Sequence, residues 1–173
     1  MQSLLEFRGV GLPAPVLLVL LVVAFAVVSR LVGKGVDGAR SLGFPLLVIG
    51  GGLIGGLPLA IMALGWCITR SLDLKPNDAT PTNLDHFVSA AFRLWPVAVA
   101  AALVAVVFQE LMVIAATLTY FVAHLTLAGF YGRQNANAIK HGRPIDEGDN
   151  LVTEAGQGAA FGLAMWAALS VVP

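Results

Sequence analysis

Long apolar stretches separated by short polar segments dominate this sequence. Each stretch approaches or exceeds the roughly 20 residues that a helix needs to cross the hydrocarbon layer of a bilayer. The polar segments, at about 33–41, 70–85 and 142–154, contain charged residues together with the glycines or prolines that end helices. The pattern predicts an all-α integral membrane protein, one polytopic helical bundle with helices at about 13–32, 42–69, 86–108, 111–141 and 155–172.

The longest apolar stretch runs from Leu94 to Tyr131, and only Glu110 and His124 within it can ionise. One straight helix over 96–130 would reach roughly 52 Å, whereas the hydrocarbon layer is about 30 Å thick. A hairpin that turns at Gln109 and Glu110 gives two arms of spanning length. The turn contains neither glycine nor proline, which counts against it.

The distribution of lysine and arginine discriminates between these topologies, because cytoplasmic loops carry an excess of both residues. Four crossings divide the ten basic residues six against four between the two sides of the membrane, whereas the hairpin divides them seven against three. The stronger bias favours five crossings with a cytoplasmic N-terminus, in what we expect to be a bacterial inner membrane. The alternative is four crossings, with one very long helix over about 94–141.

Composition agrees with a membrane protein and narrows the classes of function. Only 12% of the residues are charged, the mean hydropathy is +0.86 and the net charge is zero, so we expect a lipid bilayer and no nucleic acid as a partner. The single cysteine, Cys67, rules out a disulfide within the chain and a cysteine-rich metal site. The segment Gly33–Gly38 matches G-x-G-x-x-G, but it follows a predicted membrane helix instead of a strand, so we assign it to a loop. Because no catalytic motif is present either, we expect no enzyme activity, no cofactor and no metal.

A seven-residue spacing marks the first candidate site, since residues seven apart lie on nearly the same face of a helix. In a continuous helix, this polar stripe would serve a proton or ion path or hydrogen bonds between helices. In the hairpin, Glu110, the first residue of this stripe, lies at the solvated tip of a turn. The stripe consists of Glu110, Thr117, His124 and Tyr131.

The segment Gly50–Gly56 is the second candidate, because it contains two overlapping pairs of glycines four residues apart. Such pairs allow another helix to approach backbone to backbone. The neighbouring Pro45 and Pro58 also suit a kinked or partly unwound helix of the kind that binds ions in transporters. The glycines assigned to helix packing are Gly51, Gly52, Gly55 and Gly56.

Aromatic and basic residues near the predicted helix ends are candidates for contact with lipid headgroups. The predicted interface residues are Trp66, Trp95, Arg133, Lys140 and Arg143.

These patterns favour a small non-catalytic subunit of a larger membrane assembly of the secretion, conjugation or respiratory type. Its partners would be other membrane protein subunits, in a hetero- or homo-oligomer, and it would act through helix packing. The alternative is an oligomeric small channel or a proton- or ion-linked transporter that uses Glu110 and Gly50–Gly56.

Overall fold

Six α-helices and no strand are present in the part of the chain that the computed structural model describes, which is residues 13–72, 83–142 and 151–170. This composition of elements confirms the all-α helical bundle expected from the sequence. The helices are α1 (Ala14–Gly33), α2 (Ala39–Ser71), α3 (Asn83–Arg93), α4 (Trp95–Phe108), α5 (Met112–Lys140) and α6 (Leu151–Ser170).

Helices α3 and α4 form one unit with a break at Leu94, so the bundle has five helical units. The break precedes Pro96, which has no backbone N–H to donate to the preceding turn. Four units are long and apolar enough to cross a membrane, namely Ala14–Gly33, Ala39–Ser71, Leu84–Phe108 and Met112–Lys140.

Helix α2 is a hairpin of two helical arms rather than one straight rod. Gly56 interrupts it with φ 69° and ψ −166°, a region of backbone space open almost only to glycine. The Phe44 and Trp66 rings lie 6.4 Å apart, although a straight helix would separate these residues by about 33 Å. The Cys67 Sγ likewise lies 4.0 Å from the Phe44 carbonyl oxygen, so arms 39–55 and 57–71 run antiparallel.

This hairpin departs from the single crossing predicted over 42–69. The two arms extend roughly 25 and 22 Å, somewhat less than the hydrocarbon layer of about 30 Å. Residues at both ends of the element, Ala39 and Ser71, therefore lie at the same end of the bundle, and Gly56 lies at the other.

The long apolar stretch is also a hairpin, as the distribution of basic residues predicted. Helix α4 ends at Phe108, and Gln109 adopts the left-handed conformation with φ 59° and ψ 27°. This conformation, which a glycine usually supplies, reverses the chain here at a cost of about 1 kcal/mol. His86 of α3 and Tyr131 of α5 lie with ring centroids 5.5 Å apart, so the two arms are antiparallel over their whole length.

Helices α1 and α6 pack antiparallel with their backbones in direct contact. A Cβ atom added to Gly158 would overlap the carbonyl oxygen of Phe25, and one added to Gly162 would lie 2.6 Å from the carbonyl oxygen of Leu21. At the far end of this pair, the Trp166 indole nitrogen donates to the Ala14 carbonyl oxygen at 2.9 Å.

An aromatic cluster joins these helices to the second arm of α2 and to α5. The Phe25 ring meets Trp66 edge-on at 5.0 Å and Phe161 at 4.8 Å. Tyr120 of α5 meets Phe161 at 5.1 Å. These four side chains are almost completely buried, and they form the centre of the core.

Charge is segregated along the bundle. The 34–38 turn, Leu72, Asn83 and Gly142 share one end, which we call the basic end; the opposite end holds Pro13, Gly56 and the 109–111 turn. Among the described residues, Glu110 is the one charged side chain at the opposite end. All seven described lysines and arginines lie in the half nearer the basic end: Arg30, Lys34, Arg40, Arg70, Arg93, Arg133 and Lys140.

Candidate functional site: a buried polar cluster near the basic end

Arg70 is the centre of a polar cluster that joins three helices inside the bundle. Its side chain is only 8% exposed and forms an ion pair with Glu154 of α6. Its Nη1 donates to Gln157 Oε1 at 2.8 Å, and its Nη2 donates to the Ser29 carbonyl oxygen at 3.3 Å. One guanidinium group thus connects the second arm of α2 to α1 and α6.

The first turn of α6 completes the cluster from the other side. The fully buried Ser29 hydroxyl donates to the Glu154 backbone carbonyl oxygen at 2.5 Å. Gly33 leaves the space that Glu154 occupies, since a Cβ at Gly33 would lie 2.5 Å from Glu154 Oε2. Glu154 also lies in the first turn of α6, where the helix dipole favours a negative charge.

The chemistry of this arrangement is that of an ion pair supported by hydrogen bonds, while the Arg70 Nε is buried without a hydrogen-bond partner among the described residues. A buried charge is tolerated in an apolar bundle when an opposite charge and further hydrogen bonds accompany it. The described acceptors of Arg70 are the Glu154 carboxylate, the Gln157 amide oxygen and a backbone carbonyl. We therefore expect the cluster to hold α1, α2 and α6 in a fixed arrangement.

His124 and Thr117 of the predicted stripe face the interior of the bundle. His124 is 2% exposed, and its Nδ1 lies 3.3 Å from the hydroxyl of the buried Tyr120. Thr117 is also buried, and its Oγ1 has no hydrogen-bond partner among the described residues.

Glu110 does not belong to the helical stripe. It lies in the turn between α4 and α5, half-buried at the end opposite the basic residues, and its carbonyl oxygen accepts from the Val113 N–H at 3.2 Å. Of the two alternatives for this carboxylate, the structure places it at the turn. Tyr131, two helical turns past His124, is half-buried against His86.

Three glycines of the segment Gly50–Gly56 pack against the second arm of their own helix, whereas nothing lies within 4 Å of a Cβ atom built at Gly50. A Cβ atom built on Gly51 would lie 3.4 Å from the Leu59 carbonyl oxygen. A Cβ atom built on Gly52 would lie 3.6 Å from the Cβ of Ala60. Gly55 faces Leu59 and also Leu169 of α6. Gly56 forms the reversal itself.

The predicted interface residues occupy several environments. The prediction for Trp66 was wrong, because the α2 hairpin turns this side chain into the core, where it is fully buried. Trp95 is 56% exposed on the outer surface of α4. Arg133 and Lys140 are exposed near the basic end, and Arg143 lies outside the described residues.

Two important features escaped the sequence interpretation. Gly158 and Gly162 are a small-residue pair four positions apart, and this spacing was a readable signal for close helix contact. Arg70 and Glu154 were assigned to polar loops because each lies near the boundary of an apolar stretch. No pattern within one helix could have paired two residues that are 84 positions apart.

Within residues 13–72, 83–142 and 151–170, no three His, Cys, Asp or Glu side chains are grouped so that they could hold a metal ion. Compared with family models, with curated proteins and with solved structures, the chain matches none of them.

Proposed function

We propose that this chain is a small, non-catalytic integral membrane subunit that acts through helix packing in a larger membrane assembly of the secretion, conjugation or respiratory type. The observation that carries the proposal is the Arg70 cluster. Its charges and amide are bonded to one another across three helices, as in a rigid scaffold. The outer faces of the membrane-length helices, by contrast, carry large apolar side chains, including Leu46, Ile49 and Val106.

We propose that the basic end faces the cytoplasm of a bacterial inner membrane. The support is the distribution of the described basic residues, seven in the half nearer one end and none in the other half. This orientation places Pro13 on the non-cytoplasmic side. The sequence-based expectation of a cytoplasmic N-terminus assumed that α2 crosses once. With α2 as a hairpin, the same excess of lysine and arginine on the cytoplasmic side places the N-terminal end of α1 on the other side.

The subunit proposal is tested by the size of the complex that contains the chain in its own membrane. We expect the full chain, solubilised in a mild detergent, to migrate in a native gel well above the size of its own monomer. We also expect other membrane proteins to accompany it at a constant ratio through two successive purification steps. A stable monomer without partners in the same detergent would contradict the proposal.

A second candidate function, a proton-linked transporter, is favoured by one specific observation. The buried Tyr120 and His124 are hydrogen-bonded, and the unpartnered Thr117 hydroxyl lies one helical turn further toward the opposite end. Proton flux into liposomes that contain the purified chain separates the two proposals. A subunit gives the flux of empty liposomes, whereas a transporter gives a flux that His124→Gln abolishes and the lipid-facing Val122→Leu preserves.

A further inference from the structure

The hairpin in α2 creates an apolar groove between its two arms. The groove has a volume of about 400 Å³, within the range of sites that bind small molecules. Pro45, Val48 and Ile49 line it from the first arm, and Leu64 and Ile68 line it from the second. It opens on the outer surface, since Ile49 is 61% exposed and Leu64 is 50% exposed. In a bilayer, this surface faces hydrocarbon.

The polar rim of the groove lies toward the basic end. Ser71 lines the groove there, and its hydroxyl is bonded to the Cys67 carbonyl oxygen at 2.9 Å. On the other arm, Arg40 and Ser41 precede the lining residues Phe44 and Pro45 by one helical turn, so they lie on the same face of the helix.

Among the described residues around this rim, the net charge is positive. Arg40 and Lys34 are exposed, and Asp37 between them is the one acidic residue of the 34–40 segment. Arg40 also lies in the first turn of α2, where the backbone N–H groups favour an anion. An apolar groove is therefore continuous with a cationic rim at the level where a bilayer presents its phosphate groups.

We propose that this groove binds one acyl chain of an anionic phospholipid from the leaflet at the basic end, with the phosphate group held by Arg40. The apolar lining suits a hydrocarbon chain, and the position of the rim selects a negative headgroup. The proposal requires only that the bundle lies in a membrane, so it stands apart from the subunit proposal.

Native mass spectrometry of the detergent-purified full chain tests this site with two lipids of matched acyl chains, phosphatidylglycerol and phosphatidylcholine. We expect one bound phosphatidylglycerol per chain, held about fivefold more tightly than phosphatidylcholine, because one cation near the membrane surface contributes about that factor. Arg40→Gln should remove this preference. Arg133→Gln removes an exposed cation of α5 that also lies near the basic end, and it should preserve the preference for phosphatidylglycerol.

Two further variants test the groove itself. Val48→Phe fills it from the first arm. Ile68→Phe fills it from the second arm and replaces the first variant if that one does not fold. Either variant should weaken the binding of both lipids about tenfold, which corresponds to about 1.4 kcal/mol. Leu46→Phe adds the same ring to the lipid-facing side of the same arm, where Leu46 is 69% exposed, and should leave binding unchanged. Equal retention of the two lipids by the unmodified chain would overturn the proposal. Unchanged phosphatidylglycerol binding in a groove-filling variant would also overturn it. If such a variant instead lost a bound partner protein, the groove would be a protein-binding site and not a lipid site.

Discussion

Gly158→Ala is expected to lower the free energy of unfolding by about 3 kcal/mol, the upper end of the usual cost of overpacking a core. The added methyl group would overlap the Phe25 carbonyl oxygen, which belongs to the backbone of α1 and cannot rotate away. Helices α1 and α6 would have to separate. Their separation would also pull apart Phe25 and Phe161, which lie 4.8 Å apart in the aromatic core.

Gly129→Ala in α5 is the matched control, because nothing lies within 4 Å of a Cβ atom built there. Alanine is the better helix former by about 1 kcal/mol, so this variant should be as stable as the unmodified chain or slightly more stable. Unfolding of both variants in mixed micelles of dodecylmaltoside and dodecyl sulfate measures the difference. Equal stability of the two variants would show that α1 and α6 do not meet at Gly158.

Arg70→Met is expected to destabilise the bundle by about 2–3 kcal/mol, because the Glu154 carboxylate loses its partner while its side chain, 28% exposed, keeps some contact with the surroundings. Methionine keeps much of the side-chain volume, so the loss reports on charge and hydrogen bonds. Arg133→Met removes an exposed arginine from α5 and should change stability by less than about 0.5 kcal/mol.

A double-mutant cycle with Glu154→Gln separates this ion pair from a general loss of polarity. When both charges are removed, no unpaired charge is left in the bundle, so the double variant should be more stable than the sum of the two single losses predicts. We expect a coupling energy of about 2 kcal/mol from unfolding in mixed micelles. Strictly additive losses would argue against a direct interaction between Arg70 and Glu154.

The sequence predicted the α4–α5 hairpin although the turn has no glycine or proline. The prediction came from the excessive length of the apolar stretch and from the side on which lysine and arginine would lie. Both are properties of the whole chain, so they do not depend on the conformation of Gln109. The position of Glu110 at the turn followed directly. The sides assigned to lysine and arginine assumed that α2 crosses once, however, and they were wrong for Lys34 and Arg40.

The α2 hairpin could not be predicted in the same way, because the stretch predicted for it, 42–69, would reach only about 42 Å as one helix, which is nearer to a single tilted crossing than the roughly 52 Å of 96–130. Pro45, Pro58 and the glycine block indicated weakness in the helix, but their pattern did not say how far the chain bends. The conformation of Gly56 decides this, and it is stabilised by contacts between arms, such as Phe44 with Trp66. This reversal also explains why Trp66 is buried instead of lying among lipid headgroups.

The candidate site was the least predictable feature. Its members come from α1, α2 and α6, and each alone resembles an ordinary polar residue near a helix end. Only the fold brings Ser29, Arg70 and Glu154 together. The seven-residue stripe was informative in part, since Thr117 and His124 do face the interior.

Helix α2 folds back on itself and thereby gathers the described basic residues at one end of the bundle. Cysteine labelling in intact cells or sealed vesicles tests this arrangement directly, with Val36→Cys and Glu110→Cys each introduced into a Cys67→Ala background. With the hairpin, a membrane-impermeant maleimide reaches the two positions from opposite sides of the membrane, position 36 from the cytoplasm. Labelling of both positions from the same side would mean that α2 crosses only once, and would contradict this account of the fold.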